Sequence, residues 1–218
     1  MRVIVSCEHA TKHIPAEYRG AFKSQQARRA LNSHRGVDFG ARELAVDIAG
    51  ALKAPVRFAK ASRLLIDLNR SEHHPDLFSE FSRKLSREQR DNVLAKLYRP
   101  YRRSIERLVE RQPTLHLSIH SFTPKLRGQV RNADVGLLYD PNRQRERQLC
   151  ARLKRELHAL DPLLRVRFNY PYRGMADGLT TALRKRFKPS QYFGIELEIN
   201  QAHLALGDVL VAALKHVD

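Results

Sequence analysis

The chain has no tryptophan and only two cysteines, Cys7 and Cys150, in 218 residues. Two thiols cannot build the disulfide framework of a secreted scaffold, so a reducing compartment is expected. No apolar run approaches the ~18 residues of a membrane span. The apolar part of MRVIVSCEHA is too short for a signal peptide. These absences together point to a soluble, cytoplasmic protein without membrane contact. An HExxH pair, zinc-finger spacing, an RNP-like aromatic motif, a compact basic tail, internal repeats and low-complexity linkers are all missing. Acid is scarce as well, with 23 Asp+Glu against 40 Lys+Arg and a net charge of +17. That surplus makes a basic nucleic-acid-binding protein one reading of the chain. The bases, however, are scattered through stretches of both signs, such as SRKLSREQR and RPYRRSIERLVER, which read as solvated helix faces. A positive field also suits small anionic substrates.

What is present fits one globular domain over residues 1–218, since a hydrophobic content of 42% excludes disorder. RVIVSC (2–7) reads as a buried strand, and ARELAVDIAGAL (41–52) carries Leu44, Ile48 and Leu52 at helical spacing. Further strands are expected at 54–61, 114–122, within 130–140, and at 163–172 and 191–200. Helices are expected at 86–112, bent near Pro100, and at 142–160, 178–187 and 203–217. Strands alternating with helices predict a three-layer α/β/α sandwich around a mixed, mainly parallel sheet. Polar residues gather at four strand ends: SCEHA, DLNR, IHSF and ELEINQ. Open α/β sheets place their ligands at such a carboxyl edge.

Those ends hold the candidate chemistry. His9 follows the first strand and His120 closes a central one. A lone histidine beside an apolar run is usually structural, but two of them with a carboxylate form a zinc ligand set that leaves a position for water. The third ligand is open among Glu8, Asp38 and His34, and an N-terminal helix cap is the plain alternative for Asp38. Glu196 and Glu198 alternate onto one face of a strand. Two acids in an apolar strand need solvent, partners or a task as general base. Arg63, Asp67, Asn69 and Arg70 in SRLLIDLNR offer a guanidinium fork for a carboxylate. Cys7 reads as a buried strand residue.

In order along nearly the whole chain, VSCEHATKHIP, VDFGARELA, SRLLIDLNR, RPYRRSI, LHLSIHSFTP, VGLLYD, NYPYRGMADGLTTALR and GIELEINQ resemble the N-formylglutamate amidohydrolase family. The resemblance implies a phosphorylase/hydrolase-like α/β fold related to zinc carboxypeptidases and aspartoacylase-like deacylases. It implies one zinc ion on His9, His120 and Asp38, with Asn69 and Arg70 on the substrate carboxylate. It implies Glu198 as base, with Glu196 as second choice, and Gln201 in the family's glutamine position. Arg173, in NYPYRGMADG, is expected to reach a substrate acid group, and Arg63 or Arg127 to stabilise the oxyanion. One departure stands out. The carboxypeptidase-like relatives place a glutamate ligand three residues after the first histidine, where this chain has Lys12. The expected reaction is zinc-dependent hydrolysis of the amide of a small anionic N-formyl or N-acyl amino acid. A zinc peptidase acting on short peptides is the nearest enzymatic alternative.

Overall fold

A computed structural model describes residues 1–216. Its first half runs β1 (Arg2–Cys7), α1 (Gln25–Leu31), α2 (Ala41–Ala51), β2 (Val56–Phe58), α3 (Arg87–Val93) and α4 (Arg99–Val109). Its second half runs β3 (Thr114–Phe122), β4 (Lys125–Leu126), β5 (Gln129–Val130), β6 (Val135–Leu138), α5 (Gln144–Leu160), β7 (Val166–Phe168), α6 (Leu179–Arg186), β8 (Tyr192–Asn200) and α7 (Gly207–Leu214). Six strands form one sheet in the order β2-β1-β3-β8-β6-β7, and β4 and β5 form a separate hairpin. Every pairing in the large sheet is parallel except β6 with β8. Helices α2, α5 and α7 pack on one another and against β1, β3 and β8, while α4 and α6 cover the other face. The mixed, mostly parallel α/β sandwich read from the sequence is the observed architecture.

The central strands explain where polar residues are tolerated. All nine residues of β3 are buried. Leu115, Leu117 and Ile119 alternate with His116, Ser118 and His120, so one face is apolar and the other is buried but polar. Buried polar groups need partners, and this row has them. The His116 ring lies 2.7 Å from Ser6 Oγ through Nε2 and 2.8 Å from the Tyr192 hydroxyl through Nδ1. A second buried strut holds α5, α6 and β8 together. Arg184 Nε donates to both Glu146 oxygens at 3.1 Å, and its Nη2 donates to Gly194 O at 2.8 Å. Gly194 N returns a bond to Glu146 Oε1 at 3.0 Å. Breaking a buried pair of this kind from one side costs about 3–5 kcal/mol.

Several boundaries differ from the sequence reading, each for a local reason. The strand expected over 54–61 narrows to Val56–Phe58, because its partner β1 ends opposite Phe58 at Cys7. The strand expected over 163–172 narrows to Val166–Phe168, since Asn169 turns the chain with a positive φ of 50°. The last helix starts at Gly207 rather than 203. Asn200 caps a 3-10 turn over Gln201–Leu206, in which His203 leaves helical geometry. Residue 217 of that expected helix lies outside the described residues. Helix α1 and the 3-10 segment Ala16–Phe22 carry too little periodicity to have been read. Where a bend near Pro100 was expected, the helix passes through a π-helical turn over Leu94–Tyr98, which ends one residue short of Pro100.

Burial within the sheet pushes the His116 pKa down to about 4. The unfolded chain therefore binds a proton between roughly pH 4 and pH 6.5 that the folded chain does not. The stability from neutral His116 is complete above that window and falls as pH drops through it, by about 2 kcal/mol at pH 5. Urea unfolding from pH 7 to pH 5 should show a shallower decline in His116→Gln than in the parent protein. Equal declines would exclude this assignment.

Candidate active site

His9, Asp38 and His120 come from three separate elements and meet at the carboxyl edge of β1 and β3. His9 stands two residues past the end of β1. Asp38 precedes α2, its backbone N–H bonded to His9 O at 3.1 Å. Gly40, with φ of 74°, begins that helix without a side-chain cap, so Asp38 is not its cap. Instead the Asp38 carboxylate turns inward: Oδ2 lies 3.2 Å from His9 Nδ1 and 3.0 Å from His120 Nδ1. The two rings are 4.9 Å apart. All three residues are buried, and one ligand atom from each lies within 4.8 Å of the others.

Proton accounting says what this cluster lacks. Ionised Glu8 has only acceptors. Tyr101 donates to its Oε1 at 2.8 Å and Ser118 to its Oε2 at 2.5 Å. His120 Nε2 lies 2.9 Å from Ser118 Oγ and 3.2 Å from Glu8 Oε2. The Ser118 proton is engaged with Glu8, so both contacts require the imidazole proton on Nε2. On the other ring, His9 Nε2 lies 2.8 Å from Asp67 Oδ1, which likewise fixes the proton there. Each neutral imidazole then directs its Nδ1 lone pair at the same Asp38 oxygen. Three lone-pair-bearing atoms facing one another are unstable without positive charge between them. A divalent cation held there would supply it, and imidazole, imidazole and carboxylate are donors that suit one.

The titration shifts agree. Burial and Arg63 work against protonated His9, but Asp67 and Asp38 raise its pKa. Burial also opposes the His120 cation, and Asp38 and Glu8 raise it well above its ordinary value. In the absence of a cation, protons take its place. Burial disfavours the Asp38 and Asp67 carboxylates too. The histidines hold Asp38 well below the usual range, and Arg63 with His9 does the same for Asp67.

A cavity of about 390 Å³ opens beside the cluster. Glu196 and Glu198 both line it, from an interior strand rather than a wet edge. They differ in their partners. Thr180 donates its hydroxyl to Glu196. Glu198, opposite His120 in register, has its Oε2 buried without a partner. Burial pushes its pKa up to about 8, with Asp38 and Glu196 adding to the effect and the histidines opposing it.

Residues 1–205 match the family model described as N-formylglutamate amidohydrolase. The chain belongs to this family. A solved gene product of Agrobacterium tumefaciens is similar at 24% identity and TM-score 0.77, covering 99% of this chain and 90% of that one. An N-formylglutamate amidohydrolase from Ralstonia eutropha JMP134 is similar at 17% identity and TM-score 0.72, covering 100% of this chain and 93% of that one. No curated protein matches the sequence. These structural likenesses bear on the fold.

In this N-formylglutamate amidohydrolase family member, most of the residues singled out from the sequence gather at one cavity. Arg63, Asn69, Arg70 and Arg173 line it beside the cluster. Arg63 donates to Asp67 Oδ2 at 2.8 Å and stands 3.6 Å from Asp38 Oδ1. Asn69 Oδ1 accepts from Leu179 N at the start of α6, which leaves its amide nitrogen for the cavity. The Arg70 carbonyl is held by the Tyr98 hydroxyl at 2.7 Å and by Arg102 at 2.9 Å. Gln201 bonds Ser121 Oγ at 3.1 Å. Three others do not join the His9–Asp38–His120 group. Glu8 lies behind His120, His34 is exposed on the cavity wall, and Arg127 sits exposed in the turn of the β4–β5 hairpin, outside the wall. Lys12 points to Asn32 on the surface. Cys7 is fully buried, as its strand pattern implied. The sequence reading missed Ser118 and Tyr101, which orient Glu8. It also missed Arg131, Tyr172 and Asp177 on the wall. Only the alternation of Ser118 with His120 hinted at any of them.

Glu8 fixes which nitrogen His120 presents, and orienting partners of this kind contribute about 10–100-fold to metal affinity. Glu8→Gln should weaken divalent-cation binding by that order while the protein stays folded. Calorimetric titration of the metal-free protein measures the affinity. An unchanged affinity would remove Glu8 from this role.

Proposed function

We propose that this single-domain protein is a zinc-dependent amidohydrolase that cleaves the amide of a small anionic N-formyl or N-acyl amino acid, N-formylglutamate or a close analogue. The observation that carries the reading is the unpartnered, buried Oε2 of Glu198 beside the His9–Asp38–His120 cluster. Membership of the N-formylglutamate amidohydrolase family supports the substrate class. Two imidazoles and one carboxylate favour zinc over harder cations. Zinc held there supplies Lewis-acid polarisation of the scissile carbonyl and acidifies water toward a pKa of ~7.

The chain's own residues supply the rest. Glu198 accepts the proton of the attacking water at Oε2 and passes it to the leaving nitrogen as the C–N bond breaks, releasing formate and the free amino acid. Arg63 presents positive charge to the carbonyl oxygen while Asp67 and Asp38 fix its orientation. Asn69 and Arg70 hold the α-carboxylate, and their contribution lies mainly in alignment. Arg173, exposed on the same wall, adds to the attraction for an anion. Buried Asp67 and Glu8 keep both imidazoles in the tautomer the ion needs. Among the described residues no helix is long and apolar enough to cross a membrane, in keeping with a small-molecule enzyme. A cytoplasmic location is proposed from the two unpaired thiols, Cys7 and Cys150.

Three variants test the assignment. Glu198→Gln should retain zinc yet lose about 10²–10⁴-fold in kcat on N-formylglutamate. His120→Ala should lose both zinc and turnover. Glu196→Gln should retain most activity. Metal analysis with steady-state kinetics decides: full activity in Glu198→Gln together with its loss in Glu196→Gln would transfer the base to Glu196.

A further inference from the structure

The cavity wall carries one cation whose setting differs from the others. Arg63 is engaged by Asp67 and Asp38, Arg35 by Glu80 at 2.6 Å, and Arg70 stands 4.0 Å from Asp67. Arg131 makes no ion pair among the described residues, yet it is half-buried and fixed in place. Its guanidinium lies 5.7 Å from the Phe122 ring centre and 5.2 Å from that of Tyr172. Its Nη2 donates to the Tyr172 hydroxyl at 3.2 Å. Its backbone N–H is tied to Pro124 O at 2.8 Å, and the next N–H, of Asn132, to the Tyr170 hydroxyl at 3.1 Å. Arg173, also without an ion pair, is exposed and has no such framework.

Aromatic contacts hold a guanidinium through its charge and stacking surface without neutralising it. The in-plane N–H donors remain, and one of five is used by Tyr172. A fixed, uncompensated guanidinium edge is a receptor for a carboxylate. The α-carboxylate of the substrate is already assigned to Asn69 and Arg70, so a second acid group is what this residue fits. We propose that Arg131 is a specificity-determining residue that binds a side-chain carboxylate, so that N-formyl derivatives of acidic amino acids are preferred over those carrying one carboxylate. The inference rests on the amidohydrolase reading of the same cavity.

The test uses the zinc-loaded protein and Arg131→Met, which keeps an aliphatic stem between the rings. Substrates are N-formylglutamate and N-formylnorvaline, which has a similar side-chain length and no side-chain acid. In the variant, kcat/KM for N-formylglutamate should fall about 10–100-fold, mainly through KM, with little change for N-formylnorvaline. Arg131→Lys should recover part of the loss. Equal losses on both substrates, or none on either, would overturn the proposal. Calorimetric binding of free glutamate and norvaline gives a readout independent of turnover. If the parent protein hydrolyses neither substrate but binds glutamate in an Arg131-dependent way, the clamp stands and the hydrolase reading fails. If it hydrolyses both substrates equally well, the hydrolase reading stands and the clamp fails.

Discussion

Everything at this site depends on two imidazoles held between buried carboxylates. Asp38 meets both rings through one oxygen, while Asp67 and Glu8 occupy their far nitrogens. Burying three acids is costly unless each is matched by donors or positive charge. Arg63, Asn69 N, Tyr101 and Ser118 provide part of that match from loop, helix and strand. The remainder falls to positive charge at the two Nδ1 atoms, from protons or from a metal ion. The fold therefore does more than bring these side chains together: it leaves the centre in need of positive charge.

The sheet makes this arrangement affordable. In β3, apolar residues fill one face, so the other face can carry His116, Ser118 and His120 under a protein roof instead of water. Tyr192, Ser6 and Glu8 answer these residues from the neighbouring strands and loop. On β8, Glu198 has Gly136 as its neighbour in register, where a side chain would run into the backbone of Tyr170. Glycine there lets the Tyr170 carbonyl approach closely beside Glu198. The Glu146–Arg184 strut, packed against Gly194, holds α6 so that Thr180 reaches Glu196. Two acids two residues apart are thus given different partners by different neighbours.

Long periodic segments were legible in the sequence. β3, α5 and β8 fall where their patterns place them, because hydrophobic alternation or helical spacing dominates there. The short edge strands β2 and β7 were overextended, since their ends are set by partner length and by Asn169, which local propensity does not report. His9, Asp38, His120 and Glu198 were visible as polar residues at strand ends. Their partners were less so. Glu8 neighbours His9 in sequence, yet serves His120, and only the pairing of β1 with β3 makes that relation apparent. Arg127 and Arg131 are indistinguishable as residue types in one segment. The hairpin turn carries one away, and the rings of Phe122 and Tyr172 hold the other at the cavity.

The π-helical turn before Pro100 bears on the His9–Asp38–His120 cluster. A wider turn adds one residue to the helical repeat and so rotates all that follows by about 100° relative to an uninterrupted α-helix. That rotation directs Tyr98 toward the Arg70 carbonyl and Tyr101 toward Glu8. The angular phase of a surface helix is thereby geared to the tautomer of a histidine on the third strand. Losing a single residue between Leu94 and Tyr98 would leave a good amphipathic helix and an intact sheet, but would swing both hydroxyls off their targets.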